Sequence, residues 1–153
     1  MSEDRAIAIN RKASHNYEIT ETYEAGLVLT GSEVKSLREG KANLNDAYGR
    51  VQGDSVWLLN CHISPYGQAG YAQHEPTRTR KLLLHKQEIE RLRGKTQEKG
   101  LTLVPLRMYW KDGRAKLLLG LGRGKKLFDK RADAKKADVK RELARALRSS
   151  KRS

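Results

Sequence analysis

An Asp-Gly turn between two apolar segments is the feature that most constrains the fold. The segments run from Leu101 to Trp110 and from Arg114 to Leu121, and Lys111-Asp112-Gly113 separates them. Asp-Gly flanked by apolar alternation is among the strongest short-range signals for a β-hairpin, because both turn residues readily adopt positive φ. Pro105 within the first segment predicts an edge position or a bulge, since proline has no N–H to donate. The sequence therefore predicts an antiparallel hairpin.

Shorter strand and helix signals precede this hairpin. The predicted strands are His15 to Leu29, Leu44 to Val51, Ser55 to Ile63 and Lys81 to His85, and the predicted helices are Ser32 to Gly40 and Lys86 to Arg93. Ser32 is expected to cap its helix and Gly40 to end it. Alternation in the third strand predicts Val56, Leu58, Asn60 and His62 on one face.

These elements amount to about six strands and two or three short helices, without the strand–helix alternation of a parallel sheet. The pattern predicts a mainly β fold, a small antiparallel OB-like barrel. We expect a flexible segment over residues 1–14, the barrel over 15–122 and a basic tail over 123–153. One cysteine, no apolar leader and no run long enough to span a bilayer predict a cytoplasmic protein.

Positive charge is concentrated at one end of the sequence. The chain has a net charge of +14, and residues 121–153 hold 13 Lys and Arg against 4 Asp and Glu. A phosphate-rich partner is the natural target, because each neutralised phosphate releases a counterion. A membrane surface is the alternative, but the helical stripe of Val139, Leu143 and Leu147 lacks the bulky Trp or Phe typical of interfacial helices. We expect the tail to be disordered when free and helical on RNA.

No catalytic, metal or cofactor site is predicted. The four histidines and Cys61 lack metal-ligand spacing, and no Ser/His/Asp or Cys/His arrangement can be argued. The GLGRGKK segment from Gly120 to Lys126 is glycine-rich and follows a strand, but its spacing is not that of a phosphate-binding loop. It is better interpreted as a basic exit from the last strand.

Other residues are candidates for contact with nucleic acid. Arg78 and Arg80, at the end of the predicted loop over residues 64–80, and Lys81, at the start of the next strand, are expected to reach phosphates. Tyr48 and Phe128 are candidates for stacking on bases, although most aromatics at strand spacing belong to the core. His15 lies in a basic polar segment, where RNA contact and plain solvation are about equally plausible.

With these segments laid out, the chain closely resembles the SsrA-binding protein (SmpB) family. The resemblance runs from about Ile9 to the C-terminus and rests on the ordered motifs NRKASHNY, YEAGLVLTGSEVKSLREGKANL, HISPY, HEPTRTRKLLLH and GKKLFDKR. It implies an OB-type barrel bound to the tRNA-like domain of transfer-messenger RNA (tmRNA, or SsrA). It also implies trans-translation: delivery of that RNA to stalled ribosomes, rescue of the ribosome and tagging of the incomplete peptide.

The resemblance also implies site residues and partners. RNA binding is expected from Glu24, Leu83 and His85. Ribosome engagement is expected from His15 near the decoding centre, and from Gly124, Lys125, Lys126, Phe128, Asp129, Lys130 and Arg131. The tail is expected to probe the empty mRNA channel beside small-subunit rRNA. Elongation factor Tu with the aminoacylated RNA is a further implied partner of this monomer, and no membrane is involved.

Two rival interpretations remain. A ribosomal protein with a barrel and a basic arm would have the same composition and would bind ribosomal RNA permanently. An RNA-modifying enzyme would need a nucleophile, a metal cluster or a cofactor loop. The motif set favours the rescue factor over both.

Overall fold

The computed structural model describes residues 5–65, 74–98 and 100–125. It contains nine strands and three helices within those ranges. The strands are β1 Arg5–Ile9, β2 Tyr17–Leu27, β3 Ala42–Asn43, β4 Tyr48–Gln52, β5 Ser55–Leu59, β6 His62–Ile63, β7 Arg80–Leu83, β8 Leu101–Lys111 and β9 Arg114–Gly124. The helices are α1 Ala13–Asn16, α2 Gly31–Arg38 and α3 Lys86–Thr96. The tail was predicted over residues 123–153, but β9 continues to Gly124, and residues 126–153 lie outside the described ranges.

Six strands form a closed ring. Their order is β8-β4-β5-β7-β2-β9, and β9 pairs again with β8, every pairing being antiparallel. β1 adds to β8 outside the ring, and β3 pairs with β6 in a separate two-stranded sheet. The prediction of a mainly β, antiparallel fold with short helices is confirmed. The prediction of a loose segment is wrong for residues 5–9, because their backbone is paired with Arg107 to Trp110.

The hairpin predicted around Asp112 and Gly113 is present. Lys111 pairs with Arg114, so the loop has two residues, whose φ angles are 51° and 77°. Those angles are typical of a type I′ turn, which matches the twist of the flanking strands. The register of β8 shifts between Pro105 and Arg107, so the bulge is the correct alternative for this proline.

The long strand predicted from Ser55 to Ile63 is instead two strands. Asn60 has a φ of 58°, in the left-handed region, and it separates β5 from β6. Val56 and Leu58 are buried before this break, whereas Cys61 and Ile63 are buried after it. The turn therefore exchanges the two faces, and the predicted grouping of Val56 with Asn60 and His62 is wrong. The preceding strand is also shorter than predicted, since β4 begins only at Tyr48.

The N-cap of helix α2 lies two residues earlier than predicted. Thr30, and not Ser32, is the N-cap, and Glu33 accepts a hydrogen bond from the Thr30 N–H at 2.8 Å. This reciprocal arrangement is a capping box, which satisfies two backbone donors at the start of a helix. Gly40 has a φ of 70° just beyond the helix, as expected for a residue that ends it.

The core fills the inside of the ring. Its largest fully buried apolar side chains are Leu37, Leu44, Leu58, Ile63, Leu82, Leu92, Leu103, Met108, Leu117, Leu119 and Leu121. Gly49 permits one close approach, because a Cβ there would lie 2.8 Å from the Leu103 Cβ. Among the described helices, none is long and apolar enough to cross a membrane.

Candidate nucleic-acid interface

One outer face of the ring brings Glu24 and Leu83 together. Alternate residues of β2 and β7 point into the core, where Ala25 and Leu82 are buried. Their neighbours Glu24 and Leu83 therefore point outward. Gly26 lies opposite Leu83, two residues from Glu24, and Leu83 is 52% exposed. We call the outward residues of β7, β2, β9 and β8 around Glu24 the Glu24 face.

The Glu24 carboxylate is held by two side chains from β8. Tyr109 donates from its hydroxyl to Glu24 Oε2 at 2.5 Å, and Lys111 Nζ lies 3.2 Å from the same oxygen. The hydrogen bond from Tyr109 is the main reason that the pKa of Glu24 lies below its ordinary value; partial desolvation opposes it and Lys111 adds to it. Glu24 is therefore an ionised, oriented acceptor that still has 37% of its side chain exposed.

Cations surround this acceptor. Arg107 stacks over the Tyr109 ring at 4.7 Å from its centroid, and Lys116 lies opposite Tyr109 on β9. A groove of about 280 Å³ runs beside Leu83 and is also lined by Trp110, Arg114 and Lys116. Apolar surface, one oriented acceptor and several cations are the groups that bind bases, ribose hydroxyls and phosphates.

Arg78 and Arg80 lie elsewhere, and Arg80 corrects the sequence prediction. The Arg80 side chain is fully buried and donates from Nε to Glu33 Oε2 at 2.5 Å and from Nη1 to the Cys61 carbonyl at 2.7 Å. Arg78 donates to Glu33 Oε1 at 2.6 Å and keeps only 34% of its side chain exposed. A buried guanidinium with these partners cannot reach an RNA phosphate, so Arg80 leaves the candidate set. Lys81, in contrast, is exposed.

Glu33 is the centre of this second cluster. Burial alone would raise its pKa, but Arg78, the Thr30 N–H and Arg80 outweigh burial and lower the pKa to about 2. Nearby, His74 bridges Ser32 Oγ at 2.9 Å and the Ile63 carbonyl at 2.8 Å. These bonds join α2 to residues 74–80 and to β6. We call Glu33, Arg78 and Arg80 the Glu33 cluster.

The ribosome candidates form a third group. Lys125 donates from its backbone to the Asn16 carbonyl at 2.9 Å and from Nζ to the Ser14 carbonyl at 2.8 Å. Gly124 lies opposite Tyr17, so the end of β9 is adjacent to α1, which exposes His15. The structure thus brings His15, Gly124 and Lys125 together. The candidates Lys126, Phe128, Asp129, Lys130 and Arg131 lie outside the described residues.

Tyr48 and His85 occupy separate positions. Tyr48 is 40% exposed and shares a cavity of about 300 Å³ with Ala13, Asn16 and Tyr17, so it lies beside α1 and away from Glu24. His85 is the exposed N-cap of α3, and its backbone N–H donates to Glu88 at 3.1 Å. His85 is two residues beyond Leu83 in sequence and therefore lies at the border of the Glu24 face.

Sequence reasoning overlooked Tyr109 and Lys111 as partners of Glu24. Their signal was the alternation of β8, where Arg107, Tyr109 and Lys111 are spaced two apart and so share a face. Nothing local connects them with β2, which is 85 residues away from Tyr109 in sequence. The Glu33 cluster was also overlooked, although Thr30 followed by Glu33 matches the capping-box pattern.

Catalytic chemistry finds little support in the described ranges. They contain no group of three or more His, Cys, Asp or Glu that could hold a metal ion. Cys61 is buried, and its desolvation raises the pKa of the thiol to about 11, so it is not a thiolate at neutral pH.

Comparison with known proteins gives a consistent result. The family model for "SmpB protein" matches residues 7–149. SsrA-binding protein from Desulforudis audaxviator is 61% identical over 145 residues, 95% of each chain. SsrA-binding protein from Halalkalibacterium halodurans is 56% identical over 99% of this chain and 98% of that protein.

A solved structure supports the same relationship. It is described as "tmRNA-SmpB: a journey to the center of the bacterial ribosome", and one of its chains is 54% identical with a TM-score of 0.66. The match covers 78% of this chain and 84% of that chain. The family match, the relatives and the shared fold lead to one conclusion: this chain belongs to the SmpB family.

Proposed function

We propose that this chain binds SsrA RNA, also called tmRNA, and acts with it on the ribosome in trans-translation. The relatives are SsrA-binding proteins, and the similar solved chain belongs to a tmRNA–SmpB structure on the bacterial ribosome. The observation that supports this function most directly is the Glu24 face, where an oriented carboxylate lies among cations beside an exposed leucine.

Different side chains of the Glu24 face would contact different parts of the RNA. Lys116, Arg114 and Arg107 are suited to phosphates, which set the position of the RNA without reading its sequence. Glu24 cannot favour a phosphate, but it can accept hydrogen bonds from base amino groups or from a ribose 2′-hydroxyl. Leu83 offers apolar surface to a base or sugar. Selectivity for the tRNA-like domain would therefore reside in Glu24 and its neighbours.

The ribosome would be engaged by the other end of the ring. His15 and Lys125 lie next to each other there, where β9 leads into the basic segment that begins at Lys126. In this proposal Lys126, Phe128, Asp129, Lys130 and Arg131 contact the decoding region, and the tail enters the empty mRNA channel. The protein works in the cytoplasm as a binding factor and performs no catalysis itself.

A gel-shift titration tests this function. The full chain is titrated with SsrA RNA and with bulk tRNA at several salt concentrations, because phosphate contacts alone would bind both RNAs and weaken steeply with salt. We expect tighter binding to SsrA RNA at every salt concentration. Equal affinity for both RNAs at all salt concentrations would contradict the proposal and would favour a general RNA-binding protein.

Truncation separates RNA binding from action on the ribosome. Residues up to Gly124 belong to β9, and Leu121 is 1% exposed, so a cut after Gly120 would remove part of the ring. A cut after Lys125 keeps β9 whole. We expect this shorter chain to retain most of its affinity for SsrA RNA while peptide tagging on stalled ribosomes is lost.

A further inference from the structure

A row of three side chains crosses the ring on the side of β4, β5 and β7. Arg50 lies opposite Trp57, and Trp57 lies opposite Lys81, in a continuous antiparallel register. Their sequence neighbours Val56, Leu58 and Leu82 are buried, so the three residues point outward. An indole lies between two cations, and all three are on adjacent strands. We call them the Arg50–Trp57–Lys81 row.

Among the residues that the structure describes, the two cations of this row make no ion pair. Throughout residues 5–65, 74–98 and 100–125, neither Arg50 nor Lys81 has an acidic side chain within ion-pair distance. Both side chains are exposed, and Trp57 is partly exposed between them. This contrasts with Arg78 and Arg80, which lie within three residues of Lys81 and are both paired with Glu33.

The spacing of the row suits an unpaired strand of RNA. Two strand separations place the backbones of Arg50 and Lys81 about 10 Å apart, with Trp57 midway. Long cationic side chains at that spacing can reach successive phosphates while one base stacks on the indole between them. Aromatic platforms flanked by cations are the usual means of binding single strands, because every base has a stacking face.

The row is also continuous with the Glu24 face. Leu83 lies two residues beyond Lys81 on the same side of β7, and Gly26 of β2 lies opposite Leu83. An RNA bound at Glu24 therefore needs only to pass Leu83 to reach Trp57. The charge of the row, its register and this continuity favour RNA over an acidic protein segment.

We propose that the Arg50–Trp57–Lys81 row is a second RNA contact, which binds an unpaired segment of the RNA held at the Glu24 face. Trp57 stacks on one base, and Arg50 and Lys81 bind the flanking phosphates. This inference rests on the proposed function, since it takes SsrA RNA as the ligand. It adds a contact that does not depend on Glu24.

Trp57→Leu tests the stacking contact, because leucine keeps apolar volume and loses the aromatic face. We expect the affinity of the full chain for SsrA RNA to fall roughly fivefold or more, as for other bases that stack on aromatic residues. The variant also removes one of the two indole N–H signals from the NMR spectrum, and the signal that disappears is thereby assigned to Trp57. In the unaltered chain, the Trp57 indole signal is expected to shift when the tRNA-like domain of SsrA RNA is added.

A double variant provides an independent test if Trp57→Leu does not fold. Arg50→Ala with Lys81→Ala changes only exposed positions, and it should lower the salt slope of SsrA RNA binding by about 1.4, since each phosphate contact on a single strand contributes about 0.7. Arg38→Ala, which removes an exposed charge from α2, is the matched control and should leave the slope unchanged.

The outcomes separate the two proposals. If the full chain binds SsrA RNA but the Trp57 signal and the salt slope of the double variant are unchanged, the second contact is wrong and the proposed function stands. If the double variant loses no more salt slope per charge removed than Arg38→Ala does, the effect is one of general charge, and the row is not a site. If the full chain does not bind SsrA RNA, both proposals fail.

Discussion

Two clusters in this protein are each built around one carboxylate, and the two carboxylates differ in how far they are exposed. The Glu33 cluster joins a carboxylate to two guanidinium groups, and both Glu33 and Arg80 are fully buried. The Glu24 face joins a carboxylate to a tyrosine hydroxyl and a lysine, and Glu24 keeps 37% of its side chain in solvent. The buried carboxylate can act only on its own chain, whereas the exposed one retains capacity for a ligand.

This difference teaches how a basic RNA-binding protein can use acidic residues. In the Glu33 cluster, removing Glu33 would leave Arg80 buried without its counter-ion, so the cluster fixes α2 against residues 74–80. On the Glu24 face, the intramolecular bonds orient a carboxylate that remains partly exposed, and we propose that its ligand is RNA. Substitutions at these two carboxylates and at their partners should separate the two roles.

Glu33→Gln is expected to destabilise the fold by about 3–5 kcal/mol, because Arg80 would remain buried without its counter-ion. Urea unfolding followed by circular dichroism measures this change. Glu39→Gln is the matched control: Glu39 pairs with Lys41 at 3.0 Å, but the two side chains are 45% and 52% exposed. A surface pair of this kind contributes about 0–1 kcal/mol. Equal effects of the two substitutions would contradict the role given to Glu33.

Acid should weaken the protein through the same cluster. The pKa of Glu33 is about 2 in the folded protein against 4.5 for an ordinary glutamate. A lowered folded pKa gives stability that is complete above about pH 4.5 and lost as the pH falls toward 2. The loss from Glu33 is about 3 kcal/mol. Unfolding measured from pH 6 to pH 2 should therefore show a shallower decline for Glu33→Gln than for the unaltered chain; parallel curves would argue against it.

Glu24→Gln is expected to change binding and leave folding nearly intact. Hydrogen bonds to a charged group contribute about 1.5–3 kcal/mol, so the affinity for SsrA RNA should fall about tenfold or more. The unfolding midpoint should move little, because the pair with Lys111 is exposed. Fluorescence anisotropy with labelled SsrA RNA measures the affinity. A large loss of stability with no loss of affinity would assign Glu24 a purely structural role.

Tyr109→Phe should have the smallest effect and the most specific one. It removes the hydroxyl that orients Glu24 and leaves the ring under Arg107. A neutral hydrogen-bond donor contributes about 0.5–1.5 kcal/mol, so affinity should fall only a few-fold. The same change should raise the pKa of Glu24 toward its ordinary value, which NMR titration of the Glu24 carboxyl can follow. An unchanged pKa would show that Tyr109 does not position this carboxylate.

The fold was more predictable than the site, for physical reasons. The hairpin at Asp112 and Gly113 is a local signal, since two residues suited to positive φ lie between two apolar strands. Asn60 has a similar positive φ, but no glycine follows it and apolar residues continue on both sides, so the break between β5 and β6 could not be recognised. The paired strand β1 was also missed, because its partner β8 lies about 100 residues later in the sequence.

The site required distances that sequence spacing does not contain. Glu24 and Leu83 were predicted only through resemblance to a family. The same resemblance alone suggested that His15, Phe128 and their neighbours contact the ribosome, and all of these roles remain predictions. Arg80 looked like its neighbour Lys81 in a basic loop, yet the alternation of β7 buries one and exposes the other. Because Arg80 is buried, it needs a buried counter-ion. Glu33, 47 residues away in sequence, is that counter-ion.

We propose that the exposed carboxylate recognises RNA and that the buried carboxylate maintains the fold. The most direct test is the dissociation constant for SsrA RNA of Glu24→Gln and Glu33→Gln, measured side by side at a temperature where circular dichroism shows both variants folded. We predict a loss of about tenfold for Glu24→Gln and an affinity close to that of the unaltered chain for Glu33→Gln. The opposite ranking, or equal losses in both variants, would contradict the claim.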